Sequence, residues 1–107
     1  MSETILKSVL SELKRELAGA LGPRLEAAYL FGSRARGEAE PDSDIDVLVV
    51  VRGNFDYDDL IGRTSTFVSD LSLKHDVVIS RAFVSKDRFE HERSPFLLNV
   101  RREGVLV

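Results

Sequence analysis

The nine residues Ser43-Asp44-Ile45-Asp46-Val47-Leu48-Val49-Val50-Val51 restrict the folds open to this chain more than any other stretch. From Ile45 to Val51 the run is β-branched nearly throughout, which predicts a strand. Its apolar continuity past Asp46 leaves no polar face, so the strand is expected at the centre of a sheet covered on both sides. Successive side chains of a strand alternate between faces, which puts Asp44 and Asp46 on the same one. Two adjacent carboxylates repel each other unless a divalent cation lies between them. The pair therefore predicts metal-assisted chemistry. The competing reading is a solvated acidic turn made of Asp42, Asp44 and Asp46.

A sheet covered on both sides needs amphipathic helices, and the chain offers them. Residues 2–21 place Ile5, Leu6, Val9, Leu10, Leu13, Leu17 and Leu21 at helical intervals, with Ser2 or Thr4 as cap and Gly22-Pro23 as the stop. Residues 57–73 repeat the pattern with Leu60, Ile61, Phe67, Val68 and Leu71. One or two further helices are expected from Lys86 to a break at Gly104, followed by an apolar tail, Val105-Leu106-Val107. Ala27-Ala28-Tyr29-Leu30-Phe31 reads as a second buried strand and Asp76-Val77-Val78-Ile79-Ser80 as a third, while Glu38 to Ser43, containing Pro41, reads as an exposed loop. At 107 residues the whole is expected to be one domain, 1–107.

Composition narrows the chemistry. With no cysteine, any metal must be held by oxygen or imidazole, which fits a reducing cytoplasm. A net charge of −3 argues against a basic nucleic-acid-binding face, yet leaves room for a small nucleotide neutralised locally. Charges at Glu3, Lys7, Glu12, Lys14, Arg15 and Glu16 interrupt the first twenty residues, and no run approaches membrane-spanning length, so a cytoplasmic protein is expected.

Between the second strand and the acidic one lies Gly32-Ser33-Arg34-Ala35-Arg36-Gly37. A strand that ends in Gly-Ser and runs into a helical segment points backbone N–H groups outward, where an anion can be held. Gly32 permits close backbone approach, and Ser33 adds a hydroxyl donor. By itself such a turn is more often a plain tight turn. A third carboxylate, Asp76, opens the last predicted strand and can lie beside Asp46 if the two strands are neighbours; otherwise it is a solvent-facing strand cap. Three carboxylates at adjacent strand ends can hold two cations about 4 Å apart, the arrangement for in-line displacement at phosphorus, with Asp76 as ligand or general base.

Gly32-Ser33, ten intervening residues, Asp44-x-Asp46 and a later Asp76 together resemble the signature of the polymerase-β-type nucleotidyltransferase superfamily. The wording Leu30-Phe31-Gly32-Ser33-Arg34-Ala35-Arg36-Gly37 and Ser43-Asp44-Ile45-Asp46 is similar to its minimal members, the MNT domains, usually encoded beside a HEPN-domain ribonuclease toxin. The resemblance spans essentially the whole chain. It implies an α/β fold with a small mixed β-sheet flanked by helices and the site at the strand ends. It implies ATP as donor with two Mg²⁺ ions, transfer of AMP and release of pyrophosphate. Carried onto this sequence, Gly32 and Ser33 would bind triphosphate, Asp44 and Asp46 both metals, and Asp76 would complete the site. Arg34 and Arg36 fall inside the motif; they either counter phosphate charge or pair with Glu38, Glu40 or Asp42.

A chain this short has no residues to spare for an acceptor-binding domain. The acceptor is therefore expected from outside: by the resemblance, a hydroxyl side chain of a partner HEPN toxin, with the chain acting as its antitoxin. A non-catalytic antitoxin acting by occlusion is the alternative, and a stand-alone enzyme modifying a small molecule is a third reading. His75 and His91 have no partner at ligand spacing and are read as satisfied or surface histidines, and Tyr57 has no adjacent base.

Overall fold

The strand Ile45–Val51 is interior, as its composition requires. The computed structural model describes residues 1–40 and 42–107, so Pro41 of the expected loop lies outside the described residues. The chain runs α1 (Glu3–Leu21), a 3-10 turn (Gly22–Arg24), β1 (Leu25–Phe31), β2 (Ile45–Val51), α2 (Tyr57–His75), β3 (Ile79–Ser85), α3 (Lys86–His91), α4 (Pro95–Glu103) and β4 (Val105–Leu106). The sheet order is β3-β2-β1-β4. β2 lies antiparallel to β1 and parallel to β3, with α2 forming the crossover, so the sheet is mixed and helix-flanked.

Alternation along the strands sorts two hydrophobic layers. Ile45, Val47, Val49 and Val51 of β2, with Ala28 and Leu30 of β1 and Ile79 and Phe83 of β3, face the α1–α2 layer through Val9, Leu13, Leu17, Leu60, Val68 and Leu71. Leu48, Val50 and Val84 face the other way, against Leu97 and Val100 of α4, with Phe89 of α3 packed beside them. Burying each Leu or Val contributes on the order of 2 kcal/mol, and both layers depend on β2.

The helix ends follow local chemistry. Ser2 caps α1 by accepting from the Ile5 N–H at 3.1 Å, which settles the choice between Ser2 and Thr4. Asp56, Ser85 and Ser94 cap the three later helices in the same way. Glu12 of α1 accepts from Lys74 Nζ at 2.6 Å and lies 2.8 Å from His75 Nε2; those two contacts, Lys74 first, hold its carboxyl at about 2. His75 is thus a satisfied histidine, as expected, and His91 sits over Asp87.

Two expectations fail. The third strand is not 76–80: the helix runs on through His75, and the chain enters the sheet only at Ile79. The strand then continues to Ser85 through Arg81, whose charge hides it in the sequence. Arg81 faces α2, donating from Nε to Thr64 Oγ1 at 2.7 Å and from a terminal nitrogen to the Ile61 carbonyl at 2.8 Å. The expected apolar tail is also strand, since Val105 and Leu106 pair with Leu30 and Tyr29.

Thr64 is fully buried and joins α2 to β3, donating to the Leu60 carbonyl at 2.8 Å while accepting from Arg81. Thr64→Val keeps the shape but leaves Arg81 Nε without its acceptor. It should destabilise the protein by about 1–3 kcal/mol in urea titrations, and by clearly less in an Arg81→Met background.

Candidate active site

The site forms where β1 ends and β2 begins. Gly32 leaves β1 at φ +77°, the left-handed region that favours glycine. Its carbonyl accepts from the N–H groups of Ala35 and Arg36 at 3.2 and 3.3 Å, and the Glu38 N–H donates to the Ser33 carbonyl at 2.9 Å. Ser33 to Gly37 is therefore a tight turn and not the helical segment anticipated. No backbone carbonyl among the described residues accepts from the N–H of Ser33 or Arg34, which leaves both amides available to an anion.

Asp46 of the carboxylate pair lies against this turn. Asp46 pairs across the ladder with Phe31, the residue before Gly32. A Cβ on Gly32 would stand 2.7 Å from Asp46 Oδ2, so the missing side chain at 32 is the space that the carboxylate occupies. Asp46 is half-buried and Asp44 exposed. Burial, and after it the neighbouring Asp44, push the Asp46 carboxyl above the usual aspartate range, and no hydrogen bond offsets either effect.

Arg34 and Arg36 part company. Arg34 donates from Nε and a terminal nitrogen to the Ser43 carbonyl at 3.1 and 2.6 Å, tying the turn to the residue that precedes Asp44. It braces the loop, a role the sequence did not suggest. Arg36 takes the ion-pairing alternative, 3.1 Å from Glu38, and also reaches Glu103 of α4 at 3.9 Å.

Asp76 does not stand on a strand beside Asp46. It is the C-cap of α2 at φ 51° and ψ 52°, its N–H bonded back into the helix, and it lines a separate surface hollow with Asp42, Ser43, Val77 and Val78. Among the described residues no three acidic or histidine side chains are grouped so as to hold a metal. Between the turn and α4 a cavity of about 190 Å³ is lined by Phe31, Gly32, Arg36, Phe96, Asn99 and Glu103. The α4 residues of that cavity escaped the sequence reading, because nothing in the spacing of α4 places it against the turn.

The family of nucleotidyltransferase domains matches residues 6–101. The chain belongs to that family. Two inferred protein adenylyltransferases of Methanocaldococcus jannaschii are similar to it along nearly their full length. MJ0604 is 35% identical over 95% of this chain and 93% of its own, and MJ0141 is 32% identical over 92% and 95%. A nucleotidyltransferase of Sulfolobus solfataricus shares the fold at TM-score 0.60 and 24% identity, covering 99% of this chain and 87% of its own. So does a toxin–antitoxin structure with AMP-PNP, at TM-score 0.57 and 23% identity, covering 92% and 69%. The protein is thus a nucleotidyltransferase of the minimal type, and its mixed sheet is that of the family.

A divalent cation fits the pair Asp44 and Asp46: two oxygen-donor groups side by side, one of them half-buried with nothing to neutralise it. Two outcomes follow. Gly32→Ala forces a side chain into left-handed backbone and onto Asp46. It should cost about 1–3 kcal/mol in urea titrations and most of the activity, whereas Gly19→Ala, in open space on α1, should cost neither. A raised carboxyl pKa means that ionisation favours the unfolded chain, so stability falls as pH rises from the ordinary aspartate value through the folded one. In chelator, Asp46→Asn should therefore raise Tm at pH 7, and the gain should vanish below about pH 3.5, where both forms are neutral.

Proposed function

We propose that the protein transfers AMP from ATP to a hydroxyl side chain of a partner protein, a HEPN-type toxin, and thereby acts as its antitoxin in the cytoplasm. One observation carries the reading: the Asp46 carboxylate is pressed against the Gly32 turn, so a cation held by Asp46 with Asp44 and phosphates on the turn would share one small space. The names of the M. jannaschii relatives support adenylyl transfer to protein, and the toxin–antitoxin structures of like fold support a toxin as acceptor.

In this reading the N–H groups of Ser33 and Arg34, with the Ser33 hydroxyl, orient the triphosphate, and Asp44 and Asp46 hold Mg²⁺. Bound there, Mg²⁺ supplies neutralisation of the phosphates and of the charge that builds on them during displacement. Arg34 keeps turn and strand in register through Ser43. The acceptor oxygen attacks the α-phosphorus and forms the new O–P bond as its proton leaves; the bond from the α-phosphorus to the bridging oxygen breaks, and pyrophosphate departs.

The surroundings support an external acceptor. A cavity of about 190 Å³ is below the usual ligand-pocket range of roughly 300–1,000 Å³, too small for nucleotide and acceptor together. Beside it, Phe96, Leu98, Val105 and Leu106 expose between 44% and 64% of their surface, apolar area of the kind a partner covers.

Incubation of the protein with a co-encoded partner, Mg²⁺ and α-labelled ATP tests the reading. Label should appear on the partner and fall on the order of a hundredfold or more with Asp44→Ala, the scale of losing a group that stabilises transition-state charge. An unlabelled partner, or equal labelling by the variant, would sink it. Full neutralisation by an Asp44→Asn/Asp46→Asn variant would make occlusion the mechanism.

A further inference from the structure

The register of the sheet says what stands where a third metal ligand would have to be. β3 runs parallel to β2 with Ser80 opposite Asp46. The layers fix the direction of each side chain. Ile79 and Phe83 belong to the α1–α2 side, whereas Val84 and Ala82 pack with Leu48 and Val50 on the α4 side. By strand alternation Ser80 shares the face of Ala82 and Val84, and Asp46 that of Leu48 and Val50, so Ser80 and Asp46 emerge side by side. On the other flank of Asp46, the partner position is Phe31. Neither neighbour is a carboxylate. Asp76 lies four residues before Ser80, in the left-handed cap of α2 and outside the β2–β3 ladder, which begins at Ile45 and Ile79.

We infer that this is a one-cation site: Asp44 and Asp46 hold the cation that accompanies the nucleotide, and Ser80 occupies the position from which a third carboxylate would hold a second. The inference rests on the nucleotide-binding reading above and sharpens it. A second hard cation needs anionic oxygen ligands of its own, and a neutral hydroxyl contributes little affinity. Among the described residues no third acidic or histidine side chain completes such a cluster. No carboxylate of β3 is then in place to take the acceptor's proton, and that task falls to a group brought by the acceptor or to solvent. Ser80 is exposed, so a carboxylate placed there needs no burial and the fold should tolerate it.

Counting Mn²⁺ by electron paramagnetic resonance, with a non-hydrolysable ATP analogue on the intact protein, reads this directly and without turnover. The wild type should bind one Mn²⁺ per chain with the analogue. Ser80→Asp should bind two, the second tightened on the order of tenfold or more, while Asp76→Asn should leave the count at one. Two comparably tight ions in the wild type would overturn the inference, as would a count in Ser80→Asp that stays at one. Failure of the wild type to bind any Mn²⁺ with the analogue would instead take down the nucleotide-binding reading itself. Circular dichroism of each variant confirms that a changed count comes from a folded chain.

Discussion

The site depends on one contact, the Asp46 carboxylate lying in the space left by the absent side chain of Gly32. That contact exists only in one register of the β1–β2 ladder, with Phe31 opposite Asp46. A slip of β2 by one residue would turn every side chain to the other face. Asp46 would enter the layer packed against α1 and α2, and Ile45, Val47, Val49 and Val51 would leave it. An unpaired carboxylate there costs several kcal/mol on top of the lost burial, so the apolar alternation that builds the core also fixes where the acid stands. One strand, Ile45–Val51, thus sets both the centre of the core and the position of Asp46.

The cover over the sheet then sets the character of that acid. On the α4 side Leu48 and Val50 are sealed by Leu97 and Val100, and Asp46 is the next residue along, at the edge of the seal. Partial cover strips water from the carboxylate, and Asp44 adds repulsion. The Asp46 carboxylate is thus left electrostatically unsatisfied by its surroundings. A cation bound there would relieve it, and binding confined to the folded state would return that free energy as stability.

Much of this was legible because it lies in runs whose pattern admits one reading. β2 could only be central, the stripe of α1 from Val9 to Leu21 could only face a sheet, and the Gly32-Ser33 and Asp44-x-Asp46 pairings fell together as their spacing suggested. Failures came where a tertiary partner overrode local preference. Val77 and Val78 are β-branched, yet Asp76 ends the helix in the left-handed region and Val77 donates back to the Ser72 carbonyl, so the strand begins two residues later. The expected strand stopped short of Arg81, whose partner in the fold is Thr64, and Val105-Leu106 reads as a tail until β1 offers an edge. Arg34 was weighed against phosphates and carboxylates, although a carbonyl, that of Ser43, is its partner. Backbone acceptors leave no mark in a sequence.

The shift of β3 by three residues matters more than its size suggests, because it decides chemistry. Read as 76–80, the strand opens with a carboxylate at the sheet end; as Ile79–Ser85, it sets a serine beside Asp46. Parallel pairing makes the substitution unambiguous: Ile45 faces Ile79 on the core side, so the next level joins Asp46 to Ser80. In the proposed reading one turn and one strand would hold phosphate and cation, and the neighbouring strand would supply no anionic ligand. Under the proposed reading, the economy of the donor site follows from the same sheet register that sets Ser80 beside Asp46.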